Sequence, residues 1–176
     1  MKSMSPLNDA VVEVLRQGEA LLAAMSDDKY TRRLPAAFNS AVGGHYRHCL
    51  DHFQSLLHGL DSDEINYDHR ARDKRIENDR AFAQAETKRL MAACQSIPAA
   101  FLECSVIVRS QVSYDPNEGT VIRSTVGREI MYAVAHCIHH YALIAVMCRL
   151  LEVSVPESFG IAPSTIKYQA RHAQAA

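Results

Sequence analysis

Six of the nine histidines fall in two short stretches, HYRHCLDHF at residues 45 to 53 and HCIHHY at residues 136 to 141. Imidazole is a metal ligand and a proton carrier near neutral pH, so clustered imidazoles raise the question of a shared ion. On a helix, steps of three, four and seven return to one face, which places His45, His48 and His52 within an arc of about 60°. In the second stretch His136 and His140 stand one turn apart, separated by about 40°, with Glu129 and Tyr132 on the same side one to two turns earlier. Two imidazoles at i and i+4 can hold one ion together, and a third nitrogen must come from elsewhere. His48 or His52 supplies it if the two helices pack side by side. Three neutral histidines with an open position form a catalytic type of site, because a bound water loses a proton near neutral pH. Against this stands a plainer reading, in which HxxxH pairs are solvated or hydrogen-bonded in the core. His139 sits at the edge of its face, and His58, His69 and His172 lie in or near polar segments.

Other chemistry finds little support. Cys137 follows His136, so there is no HExxH, and no GxSxG or P-loop occurs. Glu13, Glu19 and Glu86 lack the Glu-x-x-His spacing of carboxylate di-iron bundles. The five cysteines, at 49, 94, 104, 137 and 148, form no CxxC pair and suggest neither a disulfide framework nor a cysteine zinc site. Cys137 and Cys148 share one helix face and read as core. Cys49 and Cys137 adjoin histidines, but a one-residue step turns each by about 100° away from them.

The formal net charge of -1 offers no basic field for nucleic acid and no polybasic anchor for a membrane. Arg70, Arg72, Lys74 and Arg75 are interleaved with Asp68, Asp73 and Glu77, as in a solvated connector. The start, MKSMSPLNDA, lacks the apolar region of a secretory signal, so a cytoplasmic protein is expected. No apolar run is read as approaching the ~18 residues of a membrane span.

The elements that must carry the histidines follow from apolar spacing. Ser5 caps a first helix with Pro6 at its first position, and Val11, Val14, Leu15, Leu21, Leu22 and Met25 recur with helical period until SDDKYTRR ends it. Asn39 or Ser40 is expected to cap a second helix through Leu50, Phe53, Leu56, Leu57 and Leu60, with Gly43 and Gly44 allowing another backbone close. Residues 61–77 read as a long charged connector, too polar for the core. Within it NYDHRARD could offer Tyr67, Asp68, Arg70 or Arg72 to a charged substrate, although a solvated loop is the simpler role. Asn78 or Asp79 caps a third helix that stops at Pro98. CSVIVRSQVSY and TVIRS, joined by the turn cluster DPNEG, predict a small hairpin. Ser124 or Thr125 starts the longest helix, running to about Leu151, and Pro156, Gly160 and Pro163 are expected to forbid helix beyond it. The expectation is an all-α four-helix bundle with a small β-hairpin between the third and fourth helices, residues 1–165 forming the domain and 166–176 a frayed tail.

GGHYRHCLDHFQSLLHG followed by STVGREIMYAVAHCIHHYALIAV resembles the DinB-like (DinB/YfiT) superfamily of metalloenzymes, over nearly the whole chain to FGIAPSTIKY. The resemblance implies an up-down-down-up four-helix bundle, often a homodimer, binding a divalent ion such as zinc or nickel through three histidines. Carried onto this chain, the helix-two ligand maps to His48, with His52 competing one turn on, and the pair maps to His136 and His140. Extra histidines at 45, 52 and 139 depart from the plain pattern and leave a four-nitrogen site open. The histidines do not select zinc over nickel, iron or manganese, because imidazole suits several of them. Characterised relatives include thiol-cofactor transferases and a thiol-dependent isomerase. A small-molecule substrate, such as a low-molecular-weight thiol activated with water as the rival nucleophile for transfer or hydrolysis, is therefore expected, with Glu129 and Tyr132 orienting the site. The alternative is a bundle that binds an ion or small ligand without catalysis.

Overall fold

The computed structural model describes residues 5–115 and 119–173. Most of the turn cluster DPNEG, residues 116–118, and the last three residues of the tail lie outside them. Four long helices form the bundle: α1 (Pro6–Ala23), α3 (Val42–Ser62), α5 (Arg80–Gln95) and α6 (Val126–Leu150). Short helices α2 (Asp27–Thr31) and α4 (Lys74–Asn78) lie between them, and α7 (Pro163–Ala173) follows. Around the bundle the packing runs α1, α5, α3, α6 and back to α1, so the two histidine-bearing helices, α3 and α6, are direct neighbours.

The caps explain most helix starts. The Ser5 hydroxyl accepts from the Leu7 amide with Pro6 in the first turn, the Asp79 carboxylate accepts from the Phe82 amide, and the Thr125 hydroxyl accepts from the Arg128 amide. The expected Asn39 or Ser40 cap on α3 is corrected: Ala41 stands at the cap and no side chain bonds there. Asn39 and Phe38 instead take left-handed backbone, closing a small loop held by the Leu34–Ser40 bridge. The polar run after α1 holds α2, whose Tyr30 is fully buried and donates its hydroxyl to the Ile76 carbonyl at 2.6 Å.

The charged connector is also corrected. Residues 61–77 contain β1 (Glu64–Asn66), which pairs parallel with β2 (Ser105–Ser110), and α4; Ile65, Tyr67 and Ile76 from this stretch are buried in the core. The expected hairpin forms from β2 and β3 (Thr120–Thr125), antiparallel with Ser105 opposite Thr125, and β1 makes it a three-stranded sheet. Prolines were expected to forbid helix after α6, yet α7 begins at Pro163, where a first-turn proline is harmless. By length and composition α6 is apolar enough to cross a membrane, contrary to the sequence reading. One face of it belongs to the core: Ile130, Ala133, Cys137, Tyr141, Ile144 and Cys148 form its buried seam, packed on α1 and α3.

That seam sets the register of α3 on α6. Tyr46 and Tyr141 stack with ring centroids 6.4 Å apart and planes 4° apart. Thr87 donates its hydroxyl to the Ala83 carbonyl, leaving the oxygen to accept from Tyr46 at 2.7 Å. Gly18 on α1 makes room for both phenols, since a Cβ there would stand 2.3 Å from the Tyr141 oxygen. Gly43 does the same for α4, because its missing Cβ would stand 2.1 Å from the Glu77 carbonyl. Gly44 has only the Glu77 side chain near, at 3.9 Å.

Candidate metal centre

The histidines flank the seam. Each follows or precedes a buried residue by one step (His45 beside Tyr46, His48 beside Cys49, His136 beside Cys137, His140 beside Tyr141), so the packing that buries the seam turns the rings to one side of it. The structure brings His48, His136 and His140 together, one ligand nitrogen from each lying within 4.8 Å of the others. His48 Nε2 and His136 Nε2 are 2.8 Å apart. Two nitrogens bound to one tetrahedral zinc stand about 3.3 Å apart at zinc–nitrogen distances of ~2.0–2.1 Å, so small ring movements fit these three around an ion. Carboxylates take no part in this cluster.

His52 lies beside the three rather than among them. Its Nδ1 donates to the His48 carbonyl at 2.9 Å, and its ring lies between Tyr67, with centroids 5.2 Å apart, and His136 at 4.1 Å. The residue is buried. His45, left open by the sequence, places Nδ1 at 3.1 Å from His140 Nδ1. His139 is exposed, its ring 5.4 Å from that of His140. A cavity of 420 Å³ lined by Gly44, His45, Arg47, His48, Glu77 and His140 opens onto the cluster, whose rings are half-buried and reachable.

Glu129 and Tyr132 occupy the next turns. Glu129 is fully buried and accepts from three donors: the Tyr67 hydroxyl at 2.8 Å, the Ser124 hydroxyl at 2.6 Å and Arg128 Nη1 at 2.9 Å. Burial first, then the Glu129 carboxylate, pushes the Tyr67 phenol far up, so it stays protonated and donates. Tyr67 also packs on Tyr132, with centroids 5.1 Å apart. Glu129 therefore reaches the histidines through Tyr67 and His52, without touching them. Tyr67 belongs to the segment read as solvated; a β-ladder too short to show an alternating pattern hid it.

Burial keeps these imidazoles neutral. It pushes His48 down to about 2, assisted by His52 and His140, and His140 down to about 3, assisted by His136 and His45. His52 falls to about 4, and His136 and His45 are lowered too, in each case by burial first. Neutral rings are the metal-binding form. In the unfolded chain they take protons near ~6.5, so below that pH the unfolded state binds more protons and acid destabilises the fold. Between pH 7 and pH 5 the loss is on the order of 1 kcal/mol for each of His48 and His140 after discounting for half exposure. Metal-free protein should melt lower at pH 5 than at pH 7, and a variant with His48→Gln and His140→Gln should show a clearly shallower fall. Equal falls in the two proteins would contradict this.

Cys49 and Cys137, the cysteines next to the histidines, lie apart from the cluster in the core. Cys49 and Cys137 are fully buried, and burial pushes the Cys49 thiol well up, away from the reactive thiolate. All five cysteines are free.

Comparison with known proteins agrees with this architecture. FK506-binding protein 5 of the fungus Rhizopus delemar is 33% identical over 104 residues, which are 59% of this chain and 27% of that protein. The chain thus spans about a quarter of the length of that relative. The crystal structure of a DinB-like protein, YjoA, from Bacillus subtilis superposes with a TM-score of 0.62 at 14% identity, covering 88% of this chain and 99% of that one. At that identity the likeness concerns the fold. The sequence model of the DinB superfamily matches residues 10–144, from the first turns of α1 to the last turns of α6, and so the chain belongs to the DinB superfamily.

Proposed function

We propose that this protein is a divalent-metal-dependent enzyme that activates water or a low-molecular-weight thiol for transfer or hydrolysis, with His48, His136 and His140 as ligands. The observation that carries the reading is three neutral, half-buried imidazoles from two packed helices whose nitrogens lie within 4.8 Å, with His48 and His140 lining a cavity. A zinc or nickel ion there, or iron or manganese, supplies the Lewis acidity that lowers the pKa of water or thiol. The chain's own part is orientation. His52 donates to the His48 backbone and packs against the His136 ring, while Glu129 fixes Tyr67 behind His52. Five free cysteines accord with a reducing, cytoplasmic setting. A homodimer accords with the apolar residues that α6 leaves exposed, among them Met131, Val146 and Leu150.

A second reading, an ion held without catalysis, draws on His45. With Nδ1 at 3.1 Å from His140 it could serve as a fourth nitrogen and close the site. Cobalt(II) loading separates the two. Stoichiometric cobalt, with a thiolate-to-cobalt charge-transfer band appearing on addition of 2-mercaptoethanol, is expected of an open site. Stoichiometric cobalt whose spectrum ignores thiol would favour the closed ion, and failure to bind cobalt would overturn both.

A further inference from the structure

A second cleft, of 820 Å³, opens between α3, the loop after β1 and Arg89 of α5, and holds none of the clustered histidines. Two of the side chains that line it each hold a buried polar atom with no hydrogen-bond partner among the described residues: the Arg70 Nε donor and the Gln54 Oε1 acceptor. Buried polar atoms ordinarily have partners, and a donor and an acceptor both left over in one cleft point to a guest that answers both. Neither is cured by a local rearrangement. Gln54 Nε2 donates to Glu86 Oε1 at 2.8 Å, so a flipped amide would set its oxygen against a carboxylate. The loop that carries Arg70 is pinned, since Asn66 Oδ1 accepts from the amides of Asp68 and His69 and the Gln111 amide donates to Asp68.

The charges of the cleft say what kind of guest it takes. Its carboxylates are already answered, Glu64 by Arg109 at 2.7 Å and Asp73 by Arg75 at 2.6 Å. Arg89 is taken by Glu86, which accepts from its Nε. Arg70 and Arg72 form no ion pair among the described residues, and Arg72 spends one N–H on the Asp68 carbonyl at 3.0 Å. Asp51 is bonded to Arg47 at 2.8 Å and is not part of the lining. Two guanidinium groups, two residues apart in one loop, thus remain without a counter-charge in the cleft. They match a dianion better than a monocarboxylate, and the planar guanidinium fork suits phosphate oxygens.

We infer that this cleft binds a hydroxyl-bearing phosphate monoester, with Arg70 and Arg72 on the phosphate and Gln54 Oε1 accepting from the hydroxyl. The site is independent of the reading of the histidines as a metal centre.

Calorimetry at constant ionic strength tests it on the full chain, stripped of metal so that phosphate cannot ligate an ion. The probes are glycerol 3-phosphate, inorganic phosphate and glycerol. The wild type should bind one glycerol 3-phosphate per chain, several-fold more tightly than inorganic phosphate, and should not bind glycerol. Arg70→Gln should weaken both phosphates about tenfold or more, with Arg70→Lys keeping part of the affinity. Gln54→Leu should bring glycerol 3-phosphate down to the level of inorganic phosphate and leave the latter unchanged. Lys167→Gln, on the exposed α7, removes the same charge elsewhere and should change nothing. Melting temperatures without ligand establish that each variant is folded. A wild type that binds neither phosphate overturns the proposal, because water then satisfies both atoms. So does an Arg70→Gln variant that melts lower yet binds as the wild type does, which would make Arg70 a structural partner of Asp51. Equal affinity for the two phosphates in the wild type, or equal weakening by Lys167→Gln, overturns it as well.

Discussion

Zinc or nickel at about 100 times its dissociation constant should raise the melting temperature of the metal-free protein by about 5–11 °C, and His136→Ala should erase the rise. A ligand that binds only the folded state adds about 2.7 kcal/mol at that excess, and each kcal/mol moves a domain of this size by about 2–4 °C. His136 is the sharpest place to cut because its Nε2 stands 2.8 Å from that of His48 while its ring is half-buried, so alanine removes a ligand without opening the core. His139→Ala is the control. It lies on the same turn but is exposed, and the full rise should survive. His52→Ala should shrink the rise without abolishing it, because His52 packs against the site and lies outside the three nitrogens. The rise should also diminish as pH falls, since protons and metal compete for the same nitrogens. A wild-type melting temperature indifferent to added metal would remove the basis of the proposed function.

How much of this was legible in the sequence depends on the range of the interaction. The two histidine faces were legible because helical geometry alone puts residues three and four apart on one side, and the four long helices followed from the same arithmetic. Which of His48 and His52 joins the three-nitrogen cluster was not, since both lie within one arc. What separates them is a backbone carbonyl one turn back and two flanking rings, Tyr67 and His136, which arrive from elsewhere in the chain. The stretch 61–77 failed for a related reason. Its composition is that of a solvated loop, yet three apolar residues in it are buried, and β1 exists only because β2, some forty residues later, offers an edge to pair with. Parallel pairing of so short a strand leaves no local pattern. Proline was over-read after α6, where Pro163 opens a helix in place of preventing one.

The second large effect is expected at Glu129, which never touches the histidines. Glu129→Ala should destabilise the protein by about 3 kcal/mol, a fall in melting temperature of about 6–12 °C. The carboxylate is fully buried, and of its three donors Tyr67 is nearly so, at 4% exposure, leaving the phenol no water to turn to. Arg128 is largely exposed and can be rehydrated, so most of the cost falls on the Tyr67 hydroxyl, the part-buried Ser124 hydroxyl and the void left at the start of α6. Tyr67→Phe removes one donor and leaves Glu129 two, so its cost should be smaller, about 1 kcal/mol. If the Tyr67–Glu129 bond carries the effect, the double variant should cost clearly less than the two single losses together, because the lost interaction is counted once. Strict additivity would assign the stability to the Ser124 and Arg128 bonds and the void, without the Tyr67 bond. Metal affinity then reads the link onward: with Tyr67 unpinned, His52 loses the ring it stacks on, and the zinc-induced rise in melting temperature should shrink in Glu129→Ala as it does in His52→Ala. An unchanged rise would separate the buried carboxylate from the histidine cluster and leave it a purely structural anchor between the sheet and α6.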